Sequence, residues 1–240
     1  MQPNLAYLAT EQPFWLSICF AIITALTLAG FVRAVHLAKP SLTVAVFAGL
    51  FVWLFLLGLL ALQGFFTRLG PTPPRLFLAV LVPLLLISGL FVSAGGRRFL
   101  DALPLSTLTY LNSIRVLVEL ILYGLYIHHQ IPEIMTFEGR NFDILAGLTA
   151  PVIAYFSFNT PILPKRWLFV WNVCSLLLLL NIVIHAMLSA PSPLQQIAFE
   201  QPNIGVLKFP FIWLPGFVVP VILLGHFVSL RQLRATVFRA

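Results

Sequence analysis

Charge is what this chain has least of: Asp, Glu, Lys and Arg make up 9% of its 240 residues. Soluble domains carry about 25%, so an ordinary water-facing surface is excluded. Cysteine is nearly absent as well. Cys19 and Cys174 both fall inside apolar stretches, which argues against a disulfide framework and against a cysteine-based metal cluster. No phosphate-cradling glycine loop, nucleophile elbow or paired-histidine protease helix occurs, and no internal repeat is visible. The net charge of +7 comes without the basic cluster that a nucleic-acid partner would need. No short apolar region ending in a small-residue cleavage site precedes the first long one, so the first span is expected to be retained.

What fills the chain instead is hydrocarbon. Hydrophobic residues make up 60% and the mean hydropathy is +1.00, the composition of a polytopic membrane protein. A span needs about 20 apolar residues to cross a core of about 30 Å. Seven segments meet or approach that length, near residues 14–32, 42–66, 75–94, 105–128, 142–160, 167–189 and 210–230. The expected fold is therefore all-α: one seven-helix transmembrane bundle over residues 1–240. Arg33, Lys39, Arg97, Arg98, Lys165, Arg166, Arg231, Arg234 and Arg239 fall on one side; Arg68, Arg75, Arg140 and Lys208 fall on the other. The positive-inside bias then places the N-terminus outside and the C-terminus in the cytoplasm.

The fourth span carries the chemistry. At 100° per residue Asn112, Arg115, Glu119, Tyr123 and Tyr126 share an arc of about 80°, on a helix whose other faces are mostly aliphatic. A central Arg costs about 2.5 kcal/mol or more in a bilayer, so such groups face a bundle interior or a wet cavity. Arg115 and Glu119 have the spacing of an i,i+4 ion pair that offsets part of this cost. The sixth span adds Cys174, Asn181 and His185 within about 40° of one another, a face expected to point inward. Together Asn112, Arg115, Glu119, Tyr123, Tyr126, Asn181 and His185 are the candidate lining of a site for a small molecule or ion. A structural clamp between helices is the competing reading of the same residues.

Three further features carry weight. Residues 128–143 hold His128, His129, Glu133 and Glu138, donors that suit zinc, manganese or iron, although adjacent histidines point about 100° apart on a helix. Interfacial side chains and helix-capping carboxylates are the alternative, with Asn141 or Asp143 as a cap for the fifth helix. Pro215, Gly216 and Pro220 predict a kink or break in the seventh span. The long segment of residues 190–209 is expected to pack on the bundle mouth as a lid. Histidines scattered over four spans do not form the facing pairs that a two-haem bundle needs, and the seventh span lacks a lysine for a retinal Schiff base; no cofactor is assigned.

Residues 136–151 (TFEGRNFDILAGLTAP) and 188–215 (LSAPSPLQQIAFEQPNIGVLKFPFIWLP) resemble segments of uncharacterised bacterial inner-membrane proteins of similar length. The resemblance implies a bacterial seven-helix inner-membrane protein and brings no activity with it. The sequence thus supports a membrane protein that binds and moves a small molecule or ion. Its rivals are a membrane-embedded enzyme acting on a lipid-like substrate through the outer His and Glu residues, and a non-catalytic membrane subunit. The bilayer is the one partner that composition itself implies.

Overall fold

A computed structural model describes residues 2–70 and 73–237; Arg239, counted above with the inner basic residues, lies outside them. Among the described residues the chain is helical and contains no strand. Its helices are α1 (Phe14–Ala38), α2 (Thr43–Leu62), α3 (Leu76–Val92), α4 (Ala94–Ala102), α5 (Leu105–Leu111), α6 (Ile114–Ile127), α7 (Asp143–Ala154), α8 (Lys165–Ser189) and α9 (Val219–Val237). Among the described residues five stretches are long and apolar enough to cross a membrane, or six if α3 and α4, bent by 95° at Ser93, make one broken span. The third and fifth predicted spans fall short: α3 has 17 residues and counts only with α4, and α7 runs for 12 residues before its last turn widens into a π-helix at Tyr155–Asn159. Many large apolar side chains, such as Val44 and Phe55, are exposed on the outside of the bundle. This is the surface of a multi-pass membrane protein.

The fourth and seventh spans are both interrupted. Between α5 and α6 the backbone tightens: Asn112 N–H donates to the Thr109 carbonyl and Arg115 N–H to the Asn112 carbonyl, three residues back. Such 3₁₀ tightening changes the direction of side chains around the break. In the seventh span Pro215 cannot donate to the helix, and the predicted kink takes the form of a π-helix at Leu214–Val218 leading into α9. Two tryptophans secure it. Trp53 Nε1 donates to the Gly216 carbonyl at 2.9 Å, and Trp213 Nε1 donates back to the Leu54 carbonyl at 2.8 Å.

α9 and the α5–α6 rod form the interior, with α1, α3, α7 and α8 packed around them and α2 against α1. In lipid there is little hydrophobic drive to bring helices together, so small residues that permit close contact matter more than large ones. Gly147 of α7 lies against α6 so closely that an added Cβ would come within 2.8 Å of the Val116 backbone nitrogen. Gly124 of α6 receives Leu16 of α1 in the same way, at 2.6 Å.

Loop contacts sort into two ends. At one end Asn4 N–H donates to the Phe199 carbonyl at 2.7 Å, and Phe66 and Arg68 share a cavity with Pro191, Leu194 and Leu207. At the other, Arg231 grips Asp101 through Nε at 2.7 Å and Nη2 at 2.9 Å, and Gln232 shares a cavity with Leu163 and Lys165. The first end is closed by a knot of segments centred on Gln130. Its carbonyl accepts from Ile204 and Gly205, its Oε1 accepts from Lys208 Nζ at 2.7 Å, and its Nε2 donates to Thr10 Oγ1 at 3.1 Å. Residues 190–209, expected to pack on the bundle mouth, pack over the C-terminal end of α6 rather than along its polar face.

Candidate functional site

Four elements bring their polar side chains to one place in the bundle. Arg115, 2% exposed, does not pair with Glu119 as the i,i+4 spacing predicts. Its partner is Asp143 at the start of α7: Nε donates to Oδ2 at 2.7 Å and Nη2 donates to Oδ1. The other donors are engaged as well. Nη1 donates to Asn112 Oδ1 at 3.3 Å and to His226 Nε2 at 3.2 Å, and Nη2 also donates to the Ser175 carbonyl at 3.0 Å. A guanidinium has five N–H groups, and here each one has an acceptor. The physical reason for the exchange of partners is geometric. The close approach at Gly147 brings α7 alongside Arg115, where a two-pronged carboxylate matches the planar guanidinium better than a carboxylate on its own helix.

The network fixes the state of the imidazole. Because Arg115 can only donate, His226 Nε2 is the acceptor and its Nδ1–H donates to Asn172 Oδ1 at 3.0 Å. Asn172 in turn donates to the Leu168 carbonyl at 2.9 Å. His226 and Asn172 are fully buried, so this neutral ring joins α9 to α8 across the interior.

Glu119 belongs to a neighbouring arrangement. Asn141 donates to its Oε1 at 2.6 Å and to the Met135 carbonyl at 3.0 Å, while Asn141 Oδ1 accepts from the Asp143 N–H at 3.0 Å. Glu119 precedes Ile127 by eight positions, about 12 Å along the helix axis. The connection before α7 therefore descends into the bundle to place Asn141 and Asp143 beside α6. Its backbone is satisfied internally, with Met135, Thr136, Gly139 and Asn141 each donating to a carbonyl within the same loop, as irregular backbone buried in a bundle requires. Glu119 Oε2 is buried and has no partner among the described residues.

The other predicted residues lie elsewhere. Tyr123 stacks on Phe137 at 4.9 Å and Tyr126 reaches Glu133 at 3.5 Å, both toward the C-terminal end of α6. Asn181 donates to the Arg140 carbonyl and His185 Nδ1 donates to the Asn181 carbonyl. Neither joins the Arg115 network. The inward face of α8 is that of Asn172, Ser175 and Leu179; Cys174, expected to point inward, is exposed. The possible metal ligands are separated too: His128 Nδ1 donates to the Gly124 carbonyl, and His129 stacks on Tyr7 and contacts Gln201. No group of three or more His, Cys, Asp or Glu side chains among the described residues could hold a metal ion.

Sequence reasoning misses Asp143, Asn141, Asn172 and His226 as members of the site. By position in the chain Asp143 and Asn141 are helix caps, and His226 is an end-of-span residue. A usable signal is the Gly147 that follows Asp143 by one turn, since a small residue there lets a neighbouring helix come close.

The family model described as Domain of unknown function (DUF8737) matches residues 72–234. No curated protein matches the chain, and no solved structure does. The matched region spans α3 to α9, and with it every member of the buried polar network. Since the match extends over more than half of its length, the chain belongs to the DUF8737 family.

Proposed function

We propose that this chain is a non-catalytic component of a bacterial inner membrane, crossing it seven times, in which the Arg115–Asp143 network clamps the bundle into one rigid unit. The observation that carries the reading is the saturation of Arg115. An incoming anion would have to displace Asp143 and find every guanidinium donor already engaged. Arg115, Asp143, Glu119 and His226 line none of the cavities beside Phe66, Phe91 or Phe158.

The sorting of the loops supports seven crossings. Residues 63–70 and 128–142 lie at the N-terminal end and residues 93–104 and 160–164 at the opposite end, which favours a crossing by each of α3 and α7. The excess of basic residues at the end that holds Arg97, Lys165 and Arg231 supports a cytoplasmic C-terminus. Single cysteines in place of Glu138 and Lys165, in a background lacking Cys19 and Cys174, test this. A membrane-impermeant maleimide added to intact cells is expected to label the first and spare the second; labelling of both from one side overturns the topology.

For the clamp, the test is flux and fold together. Reconstituted Arg115→Met/Asp143→Leu protein is expected to keep its helical content and its assembly state. If it keeps both but loses a solute flux that the unaltered protein supports, the clamp reading fails.

A second reading rests on one atom. Glu119 Oε2 is a buried carboxyl oxygen without a partner among the described residues, and buried polar groups of this kind repeatedly mark functional sites. On this reading Glu119 exchanges a proton during transport. Glu119→Gln would then abolish proton-coupled flux in liposomes while leaving the fold intact.

A further inference from the structure

A shallow groove with a cavity of about 50 Å³ opens at the N-terminal end of the bundle, away from the polar core. Its floor is apolar, formed by Phe66, Phe77, Val80, Met187 and Leu207 among others, and no carboxylate among the described residues lines it. Two arginines do. Arg75 is held at the rim by its Nη1 bond to the Phe65 carbonyl at 3.1 Å and by the Phe65 ring, 4.4 Å from its guanidinium carbon. Arg68 is exposed, and its guanidinium has no partner among the described residues.

The backbone adds to this positive field. Arg75 is the residue before α3, where no side chain caps the helix and its first turn contains no acid. An uncapped N-terminus of a 17-residue helix adds partial positive charge beside Arg75. Apolar walls below and uncompensated positive charge at the rim match a molecule with a hydrocarbon tail and an anionic head. Such a molecule is present at the surface where this end of the bundle meets the bilayer.

We infer that the groove between α3 and residues 187–194 binds a phospholipid of the outer leaflet, its acyl chain along Phe77, Val80 and Leu207 and its phosphate between Arg68 and Arg75. The occupant is an anionic lipid rather than a soluble phosphate, because a headgroup alone leaves the apolar floor uncovered. This site is independent of the polar core and of the clamp; only its place in the outer leaflet rests on the topology proposed above.

The experiment uses the full chain, purified in detergent and stripped of lipid, with dioleoyl phosphatidylglycerol and dioleoyl phosphatidylcholine as probes and native mass spectrometry to count bound lipid. Each arginine near a membrane surface strengthens anionic lipid binding about fivefold. Phosphatidylglycerol is therefore expected to bind more tightly than phosphatidylcholine, and Arg68→Gln to weaken it about fivefold. Lys39→Gln at the opposite end is expected to change nothing. Leu194→Trp, a half-exposed position that narrows the groove without touching charge, is expected to reduce binding as well. Equal retention of the two lipids, or full retention by Arg68→Gln, overturns the site. Competition by glycerol phosphate as effective as that by the lipid overturns the acyl-chain half of the assignment.

Discussion

Gly147 faces Val116 across the α6–α7 contact with so little space that a methyl group on it would sit 2.8 Å from both the Val116 nitrogen and its Cγ2. One turn before Gly147 lies Asp143, and one residue before Val116 lies Arg115. The ion pair at the centre of the molecule exists because two helices approach to the distance that only a missing side chain allows.

Gly147→Ala therefore forces α7 outward and stretches the bonds between Arg115 and Asp143. Overpacking of a tight contact costs about 1–3 kcal/mol. The thermal midpoint in detergent is expected to fall, although Ala is the better helix former. Gly49, where an added Cβ would have nothing within 4 Å, serves as the comparison. Gly49→Ala is expected to be neutral or slightly stabilising; equal effects at the two positions would show that helix propensity and not contact governs both.

Removing one member of the buried pair leaves the other without a counter-charge, which costs about 3–5 kcal/mol. Arg115→Met and Asp143→Leu are each expected to destabilise strongly, and the double variant to recover most of the loss. A double-mutant cycle by thermal or chemical denaturation in detergent measures the coupling. Additive losses would mean that the two side chains act separately.

Lys208 anchors the N-terminal segment: its Nζ donates to the Tyr7 carbonyl at 3.0 Å, the Thr10 carbonyl at 2.7 Å and Gln130 Oε1 at 2.7 Å. Burial pushes this ammonium down from its ordinary value near 10.5 to about 8. Between pH 8 and pH 10.5 the unfolded chain holds a proton that the folded chain has released, so this group makes stability rise with pH across that window. Lys208→Met is expected to remove that part of the slope and to expose residues 2–13 to proteolysis. An unchanged slope in the variant would assign the pH dependence to other groups.

Trp53→Phe deletes the donor to the Gly216 carbonyl, for which Pro220, four residues on, offers no N–H. A lost bond of this kind, with its acceptor left unsatisfied, costs about 1–3 kcal/mol. Hydrogen exchange at residues 214–218 is expected to accelerate more than exchange in α8. Uniform acceleration would indicate global destabilisation instead of a local lock.

The polar face of the fourth span is legible because charge is rare enough here for Arg115 and Glu119 to stand out in an aliphatic helix. Their partners are not. Asn141 sits in a connection, and Asp143 opens the helix after it, in a stretch whose polarity reads as solvent-exposed, and nothing in a linear pattern says that the loop turns back into the bundle. The inward face of α8 escapes sequence reasoning for a related reason: on a helix apolar all round, with Cys174, Asn172 and Ser175 within three positions, periodicity cannot say which side meets α9.

Composition alone determined that the chain is a helical membrane protein, because a backbone in hydrocarbon must satisfy its own hydrogen bonds and 60% hydrophobic residues leave little else to build from. Which ionisable groups meet was decided by tertiary structure. Pairing in a bundle depends on helix approach, and approach is set by the close fit of Gly147 on Val116 and by the descent of residues 128–142 between helices. Those are distances in space, and sequence separation carries no measure of them.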